Sequence, residues 1–150
     1  MEIQELINPG RTLCRIDGGS KKRALELLAN TIAQDVPDID ADDLFRRLIA
    51  RERLGSTGIG HGIAIPHCRA ENCSGTIGAL ITLTAPIDFD AIDSQPVDIL
   101  FAMLVPEDAH DEHVQTLAAL AGALNNADYR DRLRSADTDV ALYQAAILVP

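Results

Sequence analysis

His67 combines a nucleophilic side chain with a tightly restrained backbone. It follows a short strand candidate, Ile63–Ile65, and then Pro66; α/β proteins place their sites at strand ends. Proline fixes its own φ and keeps the preceding residue extended. The histidine side chain has an unperturbed pKa of about 6.5, so its imidazole is largely neutral at cellular pH. A hydrogen bond at one ring nitrogen then leaves the other nitrogen free to attack. This pattern is suited to a phosphoryl acceptor, and a purely structural histidine is the alternative.

Phosphoryl transfer to such a nitrogen needs donors and positive charge, because the transition state spreads charge over the equatorial oxygens. Arg51 and His113 are the candidate suppliers: Arg51 ends a predicted helix, and His113 lies in the first turns of another. Ser56 and Thr57 are secondary candidates through their hydroxyl groups. Each residue also has an ordinary interpretation, namely a solvated arginine, a half-exposed helix histidine, and capping or turn hydroxyls.

A nucleotide-binding loop is one alternative for the glycine-rich segment 55–62, GSTGIGHG. His61 and Gly62 stand where that motif needs Lys and Ser or Thr. The segment also follows a predicted helix and precedes a strand, whereas a nucleotide loop follows a strand and opens a helix. We therefore reject nucleotide binding here and predict no cofactor.

A metal site is a rival from another class, because several side chains are potential ligands: His61, His67, Cys68, Cys73, His110 and His113. Their spacing is poor. There is no CxxC pair, and the histidines of HDEH are three residues apart, which is not the HExxH spacing. The sequence therefore predicts no metal.

The elements that must position these residues follow from apolar spacing and capping signals. Leu25, Leu28, Ala29 and Ile32 share one helix face, and Val114, Leu117, Ala121 and Leu124 share another. Nearly continuous apolar runs predict strands covered on both faces. Helices are predicted at Ser20–Val36, from near Asp40 to Gly55, and at Ala109–Leu124, Asp128–Arg134 and Thr138–Leu148; strands are predicted at Ile63–Ile65, Thr76–Leu83 and Val97–Val105. Pro66 is expected to end the first strand.

This order of elements predicts an α/β fold: a single-domain sandwich over residues 1–150, with a mixed, mostly parallel central sheet flanked by helices. The formal net charge of −10 disfavours nucleic acid and anionic lipid as partners. Met1–Arg11 lacks a signal-peptide pattern, and no apolar run reaches membrane-spanning length. Three cysteines do not suit a disulfide framework. We expect a cytoplasmic protein with reduced thiols and no direct membrane insertion.

Two separated segments carry a more specific signal: RERLGSTGIGHGIAIPH from Arg51 to His67, and LVPEDAHDEHVQTLAALAGAL from Leu104 to Leu124. With these segments the chain resembles the enzyme IIA domains of the fructose and mannitol type in the bacterial phosphotransferase system, and most closely the stand-alone nitrogen-regulatory members. The resemblance covers almost the whole chain. It implies that His67 accepts a phosphoryl group, with His113 and Arg51 as further site residues.

The resemblance also implies partners. The donor would be a histidine phosphocarrier protein (HPr or its nitrogen-type paralogue), and the targets would be regulated proteins such as transporters or kinases. The alternative is a sugar-specific component that passes the phosphoryl group to a IIB domain for fructose- or mannitol-type uptake. The resemblance implies that in either role the protein would be a carrier within the transferase class more than a turnover enzyme. The chain departs from the family pattern at His61, commonly Asn, and at Cys68, usually Gly, for which an inert buried thiol is expected.

Overall fold

A six-stranded mixed sheet runs through the centre of the protein, whose computed structural model describes residues 2–109 and 111–150. The strand order is β1-β5-β6-β3-β2, and β4 also pairs with β6. Three of the five strand pairs are parallel, which confirms the predicted mixed, mostly parallel sheet. The strands are β1 Thr12–Ile16, β2 Gly58–Gly60, β3 Ile63–Ala64, β4 His67–Ala70, β5 Ile77–Ile87 and β6 Val97–Pro106.

Strands β5 and β6 form the centre of this sheet, as their apolar runs predict. They pair antiparallel, with Leu80 opposite Phe101. Both of these side chains are completely buried, as are Ile99 and Ala102. Because layers of helices cover both faces, the central parts of these strands carry apolar side chains on both sides.

Helices lie on both faces of the sheet and build two apolar clusters. Helices α2 and α3 cover one face, and α1, α4, α5 and α6 cover the other. The predicted inward residues of α2 are all buried, and its first residue is preceded by Ser20, whose side chain accepts from the backbone N–H of Arg23. Asp40 and Thr138 cap α3 and α6 in the same way. The helices are α1 Ile3–Leu6, α2 Lys21–Asp35, α3 Ala41–Leu54, α4 Glu112–Leu124, α5 Ala127–Ser135 and α6 Asp139–Ile147. None of the described helices is both long and apolar enough to span a membrane.

Strand β3 ends at Ala64, so the expectation that Pro66 ends the strand is confirmed, but pairing with β6 resumes immediately afterwards. Proline lacks the N–H donor, but its carbonyl still accepts from Met103 N at 2.9 Å. The chain stays extended, and β4 begins directly at His67, which pairs with Met103 of β6. His67 therefore lies on a strand held by the sheet, and not in a loop beyond it.

Helix α4 also differs from its prediction. It begins at Glu112 instead of Ala109, and position 110 lies outside the described residues. Val114 was expected inward, yet it is 55% exposed, while Thr116, Leu120 and Leu124 are buried at steps of four residues. Leu120 and Leu124 on this neighbouring face join the apolar cluster on that side of the sheet, so tertiary packing fixes a rotation that apolar spacing alone leaves open.

Candidate functional site

The imidazole of His67 is held in one orientation by its own chain. Its Nδ1 lies 2.7 Å from the carbonyl oxygen of Ile65. A carbonyl oxygen can only accept, so Nδ1 carries the hydrogen and donates it. In the neutral ring this leaves the lone pair on Nε2, which is the nucleophilic atom. The side chain is half-buried at the start of β4.

The surroundings keep this ring neutral near pH 7. Burial lowers the pKa of His67 below its ordinary value of 6.5, and the hydrogen bond to Ile65 opposes that effect. The positive charges of Arg51 and His113 lower the pKa further, whereas the negative charge of Glu52 raises it. The net result is a lowered pKa, so a nucleophilic Nε2 is available at cellular pH.

Arg51 and His113 reach the same site from two different helices. Arg51 lies in the last turn of α3, and its Nη1 donates to the carbonyl oxygen of Gly55 at 2.9 Å. A guanidinium carries five N–H donors, of which this bond uses one. His113 is the second residue of α4 and is half-buried. Both side chains lie within electrostatic range of His67, so two potentially cationic groups face the acceptor.

The hydroxyl groups of Ser56 and Thr57 are engaged inside the fold. Ser56 Oγ donates to the carbonyl oxygen of Phe89 at 2.6 Å and accepts from Gly58 N at 3.0 Å. Thr57 Oγ1 donates to the carboxylate of Glu52. Donation to a phosphoryl oxygen would therefore require either hydroxyl to exchange its partner, and their predicted phosphoryl-binding role remains a prediction.

In the described part of the chain, which leaves out His110, no three His, Cys, Asp or Glu side chains are grouped as metal ligands. Cys73, one of the considered ligands, is buried and directs its thiol to the carbonyl oxygen of Gly75. Arg51 and His113 instead place nitrogen donors within electrostatic range of His67, and such donors suit an anionic group better than a cation.

The profile of the family described as "Phosphoenolpyruvate-dependent sugar phosphotransferase system, EIIA 2" matches residues 5–147. The chain belongs to this family. The predicted family resemblance is thereby confirmed, and it spans nearly the whole chain.

Similar proteins include nitrogen-regulatory members of the family. A nitrogen regulatory protein of Pseudomonas aeruginosa is 52% identical over 98% of this chain and 96% of its own length. The crystal structure of nitrogen regulatory protein IIA-Ntr from Neisseria meningitidis superposes with a TM-score of 0.89 at 35% identity, covering 96% of this chain and 98% of that one. A fructose-specific EIIA component of Haloferax volcanii is 36% identical over 79% of this chain and 77% of its own length. The predicted α/β fold is thus confirmed by a solved relative.

The two departures from the family pattern flank the site differently. His61 lies in an exposed turn with a φ of 58°, and its N–H donates to Asp93 Oδ2 at 3.1 Å. Cys68 is half-buried on β4, and burial raises the pKa of its thiol to about 12. A thiol with so high a pKa has almost no thiolate at neutral pH, in agreement with the predicted inert cysteine.

Sequence reasoning missed one residue of the site, Glu52. It is 8% exposed and lies beside Arg51. A usable signal was present, because Leu44, Leu48 and Glu52 are spaced four apart and so share one helix face. A carboxylate at an inward-facing position of a helix must be paired and hydrogen-bonded, so this spacing marks Glu52 as a residue with partners elsewhere in the fold.

Proposed function

We propose that the protein is a phosphoryl carrier that accepts a phosphoryl group on Nε2 of His67 from a histidine phosphocarrier protein, HPr or its nitrogen-type paralogue. We further propose that it acts mainly as a cytoplasmic regulatory protein of the nitrogen-type phosphotransferase system. The hydrogen bond from Nδ1 of His67 to the Ile65 carbonyl carries this proposal, because it fixes the tautomer whose Nε2 is nucleophilic. Family membership supports the same chemistry.

In the proposed transfer, the bond between the donor ring nitrogen and phosphorus breaks as the bond from His67 Nε2 to phosphorus forms. The Nδ1 hydrogen stays in its bond to the Ile65 carbonyl, which also stabilises the positive ring of the phosphorylated product. Arg51 and His113 stabilise the equatorial oxygens during transfer. Ser56 and Thr57 are secondary contacts, which form only if their hydroxyl groups exchange partners.

Exposed apolar side chains near the acceptor support transient docking of a small carrier. Leu54 and Ile92 are 85% and 84% exposed, Val114 is 55% exposed, and Ile59 is 42% exposed. Leu54 follows Arg51 by three residues, Val114 adjoins His113, and the N–H of Ile92 donates to the carbonyl of Gly58. We expect a small carrier to cover these apolar side chains transiently during transfer.

The first experiment incubates the protein with phosphoenolpyruvate, the general phosphotransferase enzyme and the phosphocarrier, and follows the intact mass. We expect an acid-labile phosphoryl increment that His67→Ala abolishes. The matched control is His61→Asn, which removes a neighbouring histidine and keeps a residue that tolerates the left-handed backbone there. An undiminished increment in His67→Ala would place the acceptor elsewhere.

Further variants test the supporting groups. Arg51→Ala and His113→Ala should each slow transfer by about a hundredfold, the usual effect of losing one donor to a charged transition state. Rates equal to wild type would remove their proposed roles. Titration of the labelled protein with the phosphocarrier should shift amide signals near residues 55–70 and 110–115, and shifts confined to other regions would count against this docking surface.

Phosphorylation also offers a mechanism for regulation. A phosphoryl group adds a charge of about −1.5 to −2 by analogy with phosphorylated hydroxyl residues, which changes the electrostatics of any docking face. Target proteins such as transporters or kinases are therefore expected to distinguish the two forms. Comparison of phosphorylated protein and His67→Ala as baits in the cell extract should yield different bound proteins, and identical sets would contradict the switch.

The second candidate function is a sugar-specific IIA component that phosphorylates a IIB domain. The similarity to the fructose-specific EIIA component of Haloferax volcanii supports this second function. Incubation of the phosphorylated protein with a purified fructose- or mannitol-type IIB domain tests it directly. Fast quantitative transfer would favour the transport role, and a stable phosphorylated protein would favour the regulatory one.

A further inference from the structure

Glu52 is a buried carboxylate that joins three segments of the chain. Its side chain is 4% exposed, and its Oε1 lies 3.1 Å from Lys21 Nζ of α2. The same oxygen accepts from Thr57 N at 3.1 Å, and Oε2 accepts from Thr57 Oγ1. Burial of a charge is costly unless the charge is paired and hydrogen-bonded. The three donor groups around Glu52 meet this requirement, so the fold holds the buried carboxylate in one defined position.

One route from Glu52 leads to Arg51. The two bonds from Thr57 to the carboxylate fix the turn that follows helix α3. Gly55 belongs to that turn, and its carbonyl oxygen accepts from Arg51 Nη1 at 2.9 Å. The direction of the guanidinium is therefore set by a carbonyl whose own position depends on Glu52.

A second route leads to His67. The carbonyl oxygen of Thr57 accepts from Ile65 N at 3.0 Å. The carbonyl of Ile65 in turn accepts from His67 Nδ1 at 2.7 Å. Both the N–H and the carbonyl of Ile65 are thus hydrogen-bonded, so the orientation of the His67 ring depends on the position of Thr57.

We propose that Glu52 is a positioning residue that aligns Arg51 and His67 through Thr57, so that the guanidinium and Nε2 meet one phosphoryl group. Its catalytic consequence rests on the proposed transfer at His67, whereas the alignment itself exists in the unphosphorylated protein. The carboxylate touches neither the acceptor ring nor the transferred group in this role. It acts through its hydrogen bonds and through its charge.

The charge of Glu52 has a separate effect on the acceptor. Among the charged groups that face His67, Arg51 and Glu52 come from α3 and His113 comes from α4. Glu52 raises the pKa of His67, and Arg51 and His113 lower it, after burial as the largest cause of the lowered value. Loss of the carboxylate is therefore expected to lower the pKa of His67 further.

The first test uses the unphosphorylated protein and needs no donor. Glu52→Gln keeps the side-chain shape but removes the charge, and Thr57→Val keeps the shape but removes the hydroxyl. Ring nitrogen NMR shifts of His67 report both its pKa and the fraction with hydrogen on Nδ1. We expect Glu52→Gln to lower the pKa of His67, and both variants to decrease the Nδ1–H fraction.

Asp90→Asn is the matched control, because Asp90 also faces Lys21, at 3.9 Å, but its side chain is 79% exposed. It should leave the ring signals of His67 unchanged. If the pKa and the tautomer of His67 in both variants equal those of wild type, the proposal is wrong. If Glu52→Gln does not fold, Thr57→Val alone decides the tautomer result.

The second test measures phosphoryl transfer from the phosphocarrier at pH 8, where His67 is neutral in every variant. Glu52→Gln should be at least tenfold slower than wild type and Asp90→Asn equal to it, with a smaller decrease for Thr57→Val. A lowered melting temperature with an unchanged rate would show that Glu52 is only structural. Absence of transfer in wild type would refute the proposed function but leave the NMR result standing.

Discussion

Gly62 lies where the turn before His67 meets helix α5 and strand β6. Its φ is 79°, in the left-handed region, and its carbonyl oxygen accepts from Asp98 N and Ile99 N at 2.9 and 3.0 Å. A Cβ atom at this position would lie 2.5 Å from Arg134 Nη2 and 2.8 Å from Asp98 Oδ1. The substitution Gly62→Ala therefore strains the backbone and also pushes apart an ion pair.

The size of the effect follows from these two terms. An alanine in the left-handed region costs about 1 to 2 kcal/mol. Arg134 and Asp98 form a two-bond pair, Nε to Oδ2 at 3.0 Å and Nη2 to Oδ1 at 2.9 Å, with side chains 33% and 22% exposed. Such a partly screened pair contributes about 1 to 2 kcal/mol. We expect Gly62→Ala to lower the free energy of unfolding by about 3 kcal/mol, or about 9 °C in melting temperature.

Urea denaturation followed by circular dichroism, together with calorimetry, measures this change. The control is Gly122→Ala in helix α4, where an added Cβ would meet no atom within 4 Å. That variant should gain about 1 kcal/mol, since alanine is the better helix former. A Gly62→Ala protein within about 0.5 kcal/mol of wild type, the range of ordinary surface substitutions, would refute the reasoning.

A double-mutant cycle separates the two terms. In an Arg134→Ala background the added methyl group has no guanidinium to displace, and the Asp98 carboxylate is no longer held by the ion pair and can move aside, so Gly62→Ala should cost only the backbone term. The coupling free energy is then about 1 to 2 kcal/mol, as expected for residues in contact. Additive costs would show that the ion pair accommodates the methyl group without loss.

Three further predictions concern other parts of the chain. Folding lowers the pKa of His67, so the stabilisation from its neutral ring is present above pH 6.5 and is lost as the pH falls through the pKa of the folded protein. The difference in unfolding free energy between wild type and His67→Gln should therefore shrink from pH 7.5 to pH 5, and a constant difference would contradict this. Tyr129 is completely buried and donates to the carbonyl of Ala146, so Tyr129→Phe should cost about 1 kcal/mol in urea denaturation, whereas an unchanged midpoint would not fit. Burial raises the pKa of the Cys68 thiol from 9.0 to about 12, so at pH 8 the folded protein has about a thousandfold less Cys68 thiolate than the unfolded chain. Iodoacetamide should therefore modify Cys68 only after unfolding, as measured by peptide mass analysis, and rapid modification of the folded protein would overturn this.

Several features could be predicted from the sequence because they depend on neighbours along the chain. The spacing of Leu25, Leu28 and Ile32 specifies the buried face of α2, and Ser20 marks its start. Continuous apolar runs identify β5 and β6 as central strands. The candidate acceptor His67 was found by its position after a strand and a proline, and the motifs of residues 51–67 and 104–124 identified the family.

Other features were decided only by the tertiary structure. Whether the chain beyond Pro66 joins the sheet depends on β6, because the N–H of Met103 in that strand donates to the carbonyl of Pro66. The rotation of α4, which exposes Val114, depends on the surface beneath it. The elements α1, β1 and β2 are too short for apolar periodicity to reveal.

The hydrogen-bond and ion-pair partners of the polar side chains were likewise decided by the tertiary structure. Ser56 gives its hydroxyl hydrogen to Phe89, which is 33 residues away, and Glu52 pairs with Lys21 on a different helix. A hydrogen bond is directional and short, so its partner is whichever group the fold brings within about 3 Å, irrespective of sequence separation. Local sequence therefore determined the elements and a nucleophile, whereas packing of distant segments decided which donors remain for a phosphoryl group.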